Sequence, residues 1–291
     1  MAMYSLKNEQ ISICVDSLGA ELKSLRKLST GTEYLWDARP EYWKRTSPVL
    51  FPLVGSLNEG IYRYGGKEYP MSQHGFARDM EFALLRQTED ELVFELKSSE
   101  ETRAKYPFDF ALELGYRIEE SQVFVSWKVT NCGSAKMYFS IGGHPAFMCP
   151  VDGQGTQTEC KLKFDVKDKI TSGIIGGSGL LSERSREYAL QDGMLDITED
   201  LFDTDALIIE HHQAHVVSLC DRDGKPYLTV SFDAPLFGVW SPPKKNAPFI
   251  CIEPWYGRCD REHFAGELSE REWGNQLAPS EVFSAQYTIS V

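Results

Sequence analysis

The sequence lacks long apolar runs and paired cysteines, and each absence excludes a class of protein. No apolar run in the 291 residues approaches the ~18 needed to span a bilayer. Residues 1–9 show no basic stretch followed by an apolar one, so we expect no signal peptide. The seven cysteines are odd in number, scattered, and form no Cys-x-x-Cys motif. These features favour buried, reduced thiols and a cytoplasmic protein.

Basic residues are outnumbered. Thirty Lys and Arg stand against 43 Asp and Glu, which gives a net charge of −13 and a pI near 5.0. Such a field repels nucleic-acid phosphates and anionic lipids, so we expect neither kind of partner. An anionic substrate would need a local arginine clamp. We expect a small-molecule ligand and a monomer or homodimer.

Cofactor and hydrolase motifs are also missing. There is no Gly-x-Ser-x-Gly elbow, and the glycine-rich segment 172–179 lacks the spacing of a phosphate loop, so it is predicted to be a surface loop. His211, His212 and His215 look like a metal cluster. In a strand, however, His212 points away from the other two, and no thiol or carboxylate pattern completes a site. The sequence therefore predicts no metal and no cofactor.

Period-two alternation of apolar and polar residues runs through the chain and predicts β-strands. The apolar members of three clear examples are Ile11, Ile13 and Val15; Val123, Val125, Trp127 and Val129; and Leu228, Val230 and Phe232. Helical signals are few: one helix capped by Ser98 and stopped by Pro107, and single turns at 41–45 and 198–203. With no repeat and no long linker, we predict an all-β protein, a large antiparallel β-sandwich in one domain covering residues 1–291.

Two histidines and one carboxylate stand out as candidate acid/base groups. His74 precedes Gly75 and His144 follows Gly143, and these glycines leave room for a ligand near the backbone. Glu253 lies alone in an apolar run, and imidazole and carboxylate groups can transfer protons without a cofactor. A structural role for each histidine remains the alternative. Aromatic rings accompany these residues and suit the apolar faces of a sugar, which makes Phe76 and Trp255 candidate sugar contacts beside Phe147, Trp240 and Tyr256.

At these residues the chain resembles the aldose 1-epimerase (galactose mutarotase-like) family, and within it the LacX-like subgroup, with features of the hexose-6-phosphate epimerases. The similarity covers nearly the whole sequence. The segments that carry it are Gly19-Ala20-Glu21-Leu22-Lys23-Ser24-Leu25, Pro48-Val49-Leu50-Phe51-Pro52-Leu53-Val54-Gly55, His74-Gly75-Phe76-Ala77-Arg78, Gly143-His144-Pro145-Ala146-Phe147, Asp203-Thr204-Asp205-Ala206-Leu207-Ile208 and Ile252-Glu253-Pro254-Trp255. Each is weak alone, whereas their order and spacing together are specific.

The resemblance implies a galactose mutarotase-like sandwich and a mechanism for exchanging sugar anomers. Glu253 would be the base that takes the proton of the anomeric hydroxyl, and His144 the acid that protonates the ring oxygen. His74 would hydrogen-bond near the ring oxygen, and Asp205 would hold ring hydroxyls. No metal, nucleotide or redox cofactor is implied. The rival function is a non-catalytic sugar-binding or sugar-sensing protein, which would have no need of the base.

Two features bear on the substrate. Many members of the family carry arginine after Phe-Pro-x-x-Gly, where this chain has Ser56. The hexose-phosphate relatives use two arginines, at positions matched here by Arg45 and Arg78. A pair of guanidinium groups would bind a phosphate well, although each arginine could equally form an ordinary salt bridge.

Overall fold

Strands dominate the structure, a computed structural model that describes residues 2–151 and 153–291. The first twelve strands are β1 (Met3–Lys7), β2 (Ile11–Asp16), β3 (Glu21–Lys27), β4 (Val49–Leu50), β5 (Ile61–Tyr64), β6 (Lys67–Pro70), β7 (Ala83–Gln87), β8 (Glu91–Lys97), β9 (Phe110–Glu119), β10 (Gln122–Asn131), β11 (Met137–Phe139) and β12 (Ile141–Gly143). The remaining strands in those ranges are β13 (Ala146–Met148), β14 (Lys161–Phe164), β15 (Lys169–Ile175), β16 (Leu181–Ala189), β17 (Met194–Asp196), β18 (Leu207–Ile209), β19 (Val216–Cys220), β20 (Pro226–Phe232), β21 (Leu236–Trp240), β22 (Phe249–Tyr256), β23 (Asn275–Leu277) and β24 (Val282–Ser290).

Two large sheets form the body of the molecule. One has nine strands in the order β17-β14-β19-β20-β24-β10-β9-β8-β7. The other has eight: β16-β15-β18-β21-β22-β12-β4, with β13 also paired to β22. The ladders between these strands are antiparallel, which confirms the predicted antiparallel β-sandwich. Side chains from both sheets meet in one apolar core, where Phe164 of β14 lies against Phe237 of β21 and Trp127 of β10 against Tyr256 of β22.

The nine-stranded sheet shows the alternation that predicted it. In β10 the side chains of Val123, Val125, Trp127 and Val129 are buried, whereas the intervening positions are half-buried or exposed. One face therefore packs on the core and the other meets solvent, as is typical of antiparallel sheets.

The eight-stranded sheet is covered on both faces around β22. Its core face, formed by Ile250 and Ile252, belongs to the main core. Its cavity face, formed by Cys251, Glu253 and Trp255, is equally buried but points the other way. Successive side chains of a strand point to opposite faces. A strand covered on both sides is therefore apolar at most positions and does not show the alternation of apolar and polar residues.

Helices are short, and the predicted cap is off by one residue. The single α-helix of the described residues, α1 (Glu100–Lys105), is capped by Ser99, whose hydroxyl accepts a hydrogen bond from the Thr102 amide. Ser98 does not cap it: its amide pairs with Phe110 O of the neighbouring strand, and its hydroxyl donates to Asp109 Oδ1. The helix ends before Pro107, as predicted. Three-residue 3₁₀ turns lie at Asn58–Gly60, Ala77–Asp79, Gln157–Glu159 and Leu268–Glu270, and residues 41–45 and 198–203 form hydrogen-bonded turns without helix.

Two further local predictions are wrong. The glycine-rich segment 172–179 is not one loop: its first four residues belong to β15, and only 176–179 form the turn into β16. A Cβ at Gly173 would approach Leu181 Cδ1 to 2.6 Å, so that glycine serves strand packing. His211 and His212 lie in a turn with φ values of 67° and 53°, not in a strand.

The last observations on the fold concern the state of the cysteines and the length of the helices. All seven cysteines fall in the described ranges, none of them forms a disulfide, and five are buried. No helix in the described part of the chain is long and apolar enough to cross a membrane.

Candidate active site

A cavity of about 340 Å³ opens on the cavity face of β22. Six of the eight predicted site residues line its wall: His74, Arg78, His144, Asp205, Glu253 and Trp255. They come from segments up to 181 positions apart, and the sheet brings them together. Arg45 and Phe76 are not on the wall.

Glu253 lies in the middle of β22, opposite Gly238 of β21, and its side chain is 1% exposed. Burial, and secondarily the charge of Asp205, raises the pKa of the carboxyl group well above its ordinary value. Glu253 Oε2 accepts no hydrogen bond, although it lies 3.4 Å from His144 Nε2. The strand thus holds an ionisable group in an apolar setting beside a second one.

His144 lies at the break between β12 and β13. Its amide donates to Pro48 O at 3.1 Å, and the indole of Trp43 stacks on the imidazole with ring centroids 4.7 Å apart. Burial, together with the nearby charge of Arg78, lowers the pKa of His144 to about 3. The imidazole is therefore neutral at physiological pH when the cavity holds no substrate.

His74 is fixed by a reciprocal pair of hydrogen bonds with Gly55. The His74 amide donates to Gly55 O at 3.0 Å, and the Gly55 amide donates to His74 Nδ1 at 3.1 Å. Since Nδ1 accepts a hydrogen bond, the ring proton of the neutral imidazole is on Nε2. Burial and then the charges of His144, Arg78 and Arg45 lower the pKa of His74 well below its ordinary value. His74 is thus a neutral hydrogen-bond donor, with its ring centroid 5.6 Å from that of His144.

The turn after His74 decides which side chains reach the cavity. His74 and Gly75 both have positive φ, and a Cβ at Gly75 would meet Phe51 O at 2.3 Å, so only glycine fits there. The turn directs Phe76 into the main core, where its ring lies near Tyr106 and Phe110. The structure therefore places Phe76 away from the cavity that the sequence predicted it to line.

The two arginines lie together around Asp79. Arg45 donates to Asp79 Oδ1 at 2.8 Å, and Arg78 Nε lies 3.8 Å from Asp79 Oδ2. Of the two, Arg78 lines the cavity and Arg45 does not. Burial and the charge of Arg45 lower the pKa of Arg78 to about 10, so Arg78 is a cation at neutral pH.

Trp255 lies across two neighbouring strands at positions where both have glycine. A Cβ at Gly142 of β12 would approach the Trp255 ring to 2.6 Å, and one at Gly238 of β21 to 2.4 Å. The indole can lie flat on the sheet because neither neighbour has a side chain. Trp240 and Asp205 complete this part of the wall, and Asp205 Oδ1 accepts from the Ala206 amide at 2.9 Å.

Trp43 and Gln73 are among the wall residues that sequence reasoning missed. Trp43 belongs to the turn that the sequence left without a function. Its signal was the adjacent aromatic pair Tyr42-Trp43 in an otherwise polar loop. Gln73 gives no such signal, and its backbone carbonyl accepts a hydrogen bond from Arg78 at 2.6 Å.

Ser56 also lies on the wall, where the resemblance implied an arginine. The turn between β15 and β16 approaches it so closely that a Cβ at Gly179 would lie 2.9 Å from Ser56 Oγ. The β15–β16 hairpin therefore occupies the space next to residue 56, where this chain has a small side chain.

Buried polar atoms without hydrogen-bond partners concentrate in this cavity. Among the described residues, four of the five such side-chain atoms belong to the wall: Arg78 Nε, His144 Nδ1, Glu253 Oε2 and Trp255 Nε1. Buried polar groups are nearly always hydrogen-bonded, so this concentration indicates a site for a polar ligand. By contrast, His211, His212 and His215 form no metal-type cluster in the parts of the chain that the structure describes.

Comparison with known proteins gives consistent matches over the whole length. The family model described as aldose 1-epimerase matches residues 2–290. The plasmid-encoded protein LacX of Lactococcus lactis subsp. lactis is 31% identical over 98% of both chains. A Salmonella typhimurium protein provisionally named glucose-6-phosphate 1-epimerase is 26% identical over 74% of this chain and 68% of its own.

A solved structure shares both fold and sequence with the chain. A galactose mutarotase related enzyme from Lactobacillus acidophilus superposes with a TM-score of 0.91 and 32% identity, covering 99% of this chain and 97% of the other. The predicted galactose mutarotase-like fold is thereby confirmed.

Proposed function

The chain belongs to the aldose 1-epimerase family, and we propose that it interconverts the α and β anomers of a hexose or a hexose 6-phosphate. The observation that carries the proposal is the buried pair of Glu253 and His144, whose nearest side-chain atoms lie 3.4 Å apart in a cavity of suitable size for one sugar. A protein that only bound sugars would have no need of a base at the anomeric hydroxyl.

The proton transfers follow from the two side chains. Glu253 takes the proton of the anomeric hydroxyl, the bond between C1 and the ring oxygen breaks, and His144 gives a proton to that oxygen. Rotation about C1–C2 presents the other face of the carbonyl, and the same transfers run backwards to close the ring. The two residues begin and end the cycle in the same protonation states, and no other reactant is consumed.

The pKa directions suit a pair that shares one proton. The raised pKa of Glu253 and the lowered pKa of His144 leave that proton on Glu253 when the cavity is unliganded. Glu253 protonated and His144 neutral is the form that closes the ring, whereas proton transfer to His144 gives the form that opens it. Because the two forms differ only in the position of one proton, a bound sugar that stabilises the carboxylate or the imidazolium shifts the pair toward the form that opens the ring.

The remaining wall residues supply recognition. His74 donates through Nε2 near the ring oxygen, and Asp205 accepts from ring hydroxyls. The indoles of Trp255 and Trp240 offer flat surfaces for the C–H faces of the ring. Trp43 covers one face of the His144 imidazole and keeps water from it.

Arg78, with Arg45 joined to it through Asp79, is the proposed determinant for a 6-phosphate. Two adjacent cations in a protein of net charge −13 make a local anion site, and their present bridge, Asp79, is exposed and can release them. The relative provisionally named glucose-6-phosphate 1-epimerase supports the same proposal.

Substitution of Arg78 tests the phosphate proposal. Arg78→Ala should weaken binding of the 6-phosphate by about 10- to 150-fold, since charge-assisted hydrogen bonds contribute roughly 1.5–3 kcal/mol, and should weaken binding of the free sugar far less. Isothermal titration with both sugars measures this. Arg86→Ala removes an exposed arginine from β7 and serves as the control. Equal losses for the two sugars in Arg78→Ala would remove the phosphate assignment and leave the epimerase proposal intact.

Polarimetry tests the function itself. Freshly dissolved α anomers of free hexoses and hexose 6-phosphates should reach their equilibrium rotation faster with the protein than in buffer. Binding without acceleration for every sugar in the panel would instead favour the sugar-binding or sugar-sensing function.

A further inference from the structure

A thiol lies beside the two proposed acid/base groups. His144, Cys251 and Glu253 offer one nitrogen, one sulfur and one oxygen atom that all lie within 4.8 Å of one another. Cys251 and Glu253 are two residues apart on β22 and therefore share its cavity face. Cys251 pairs with Ala146 of β13, which places His144 alongside. All three residues are buried.

The atoms match the ligands of a divalent zinc ion. Zn²⁺ binds thiolate, imidazole and carboxylate groups in tetrahedral geometry at about 2.0–2.3 Å, which separates ligand atoms by about 3.3–3.8 Å. His144 Nε2 and Glu253 Oε2 already meet that spacing at 3.4 Å. Glu253 Oε2 is also free to coordinate, because it is buried without a hydrogen-bond partner.

The position of the cluster gives an ion access. His144 and Glu253 line the cavity, so an ion has a path from solvent and a fourth coordination position open toward the cavity. Asp205 lies near enough to raise the pKa of Glu253 by its charge, so two carboxyl groups face the same region. The positive charge of Arg78, which lowers the pKa of His144, opposes a cation, whereas the carboxyl groups of Glu253 and Asp205 attract one.

We propose that His144, Cys251 and Glu253 form a site for a thiophilic divalent cation, with Zn²⁺ the best match, and that the bound ion inhibits the enzyme. The inhibition rests on the proposed function, whereas the site does not. The ion takes the lone pair of His144 Nε2 and the carboxylate of Glu253, which are the two groups that exchange protons with the sugar. Inhibition is therefore reversible and ends when the ion is removed.

Cobalt spectroscopy tests the site without reference to activity. Co²⁺ added to the wild-type protein should give a thiolate-to-cobalt charge-transfer band in the near ultraviolet and the intense visible bands of tetrahedral cobalt. Cys251→Ala should lose the charge-transfer band. Cys220→Ala is the matched control, since Cys220 is another buried thiol but lies outside both the cluster and the cavity wall, and it should keep the band. If Cys251→Ala folds poorly, Cys251→Ser keeps the volume and also lacks the sulfur.

Polarimetry in the presence of Zn²⁺ tests the inhibition. Mutarotation by the wild type and by Cys220→Ala should fall on addition of Zn²⁺ and recover with a chelator. Cys251→Ala, scored against its own metal-free rate, should need at least about tenfold more Zn²⁺ for the same inhibition, because losing even an outer partner of a metal ligand costs about that much in metal affinity.

Absence of the cobalt band in the wild type, or its persistence in Cys251→Ala, would overturn the site. Equal zinc sensitivity in Cys251→Ala would overturn the inhibition. A protein that binds cobalt as expected but never accelerates mutarotation would contradict the proposed function alone.

Discussion

The two faces of β22 are equally buried but do different work. On the core face, Ile250 and Ile252 are fully buried in the main apolar core. On the cavity face, Glu253 and Trp255 are almost as inaccessible, yet each has a polar atom without a hydrogen-bond partner. Burial of an apolar side chain stabilises the fold, whereas burial of an unpaired polar atom costs free energy.

Burial alone therefore does not distinguish a side chain that stabilises the fold from one that serves the site. The presence or absence of hydrogen-bond partners for its polar atoms does. The core face needs only side chains of suitable shape and volume. The cavity face keeps groups that water would otherwise solvate, and it shifts their pKa values through that lack of water. Substitutions on the two faces should therefore separate catalysis from folding.

The largest effect is expected on the cavity face. Glu253→Gln should lower the rate of mutarotation by ~10²–10⁴-fold, because the amide cannot accept the anomeric proton. The free energy of unfolding at neutral pH should be unchanged or higher, since the substitution removes a carboxyl group whose ionisation is disfavoured by burial. Polarimetry and urea denaturation measure the two quantities. A turnover close to wild type would show that another residue is the base.

The core face should respond in the opposite way. Ile250→Ala should lower the free energy of unfolding by about 2–5 kcal/mol through lost burial and the cavity it leaves. The rate per folded molecule should stay at the wild-type value, because Ile250 does not reach the cavity. The same two measurements apply. If the rate falls as far as in Glu253→Gln, the two faces are not functionally separate.

The smallest effect concerns the pH dependence of stability. Folded His144 stays neutral down to a pKa of about 3, whereas in the unfolded chain it takes up a proton near pH 6.5, so acid favours unfolding. This residue should cost the wild type about 1.4 kcal/mol per pH unit below pH 6.5, roughly 2 kcal/mol by pH 5.

His144→Gln should lose that part of the slope, while Ile250→Ala, which removes no titrating group, should keep it. Urea denaturation of the three proteins at pH 6.5 and pH 5 provides the comparison. Parallel slopes for the wild type and His144→Gln would mean that His144 takes up a proton in the folded state.

The alternating strands were the most predictable part of the fold. In β10 one face meets solvent, so buried valine and tryptophan residues alternate in the sequence with less buried ones. In β22 both faces are covered, and the continuous apolar run records burial but not direction. The isolated Glu253 was visible for the same reason: a carboxylate in such a run has no solvent to face.

Other features depended on local backbone geometry that composition does not reveal. Ser99 rather than Ser98 caps α1, because Ser98 remains bonded to the neighbouring strand. His211 and His212 take positive φ values in a turn, so the strand that the sequence predicted for them is not formed. The turn at Gly75 likewise sent Phe76 into the core.

By itself the sequence determined the strand periodicity, the acidic charge, the isolated carboxylate and the two glycine-flanked histidines, because these depend on residue type and spacing alone. Only the tertiary structure decided which groups meet. The 3.4 Å approach of His144 to Glu253, the stacking of Trp43 on His144, and the thiol of Cys251 beside both arise where distant segments pair across one sheet. Strand order and register set these contacts, and both are fixed by long-range packing of the core that no single segment encodes.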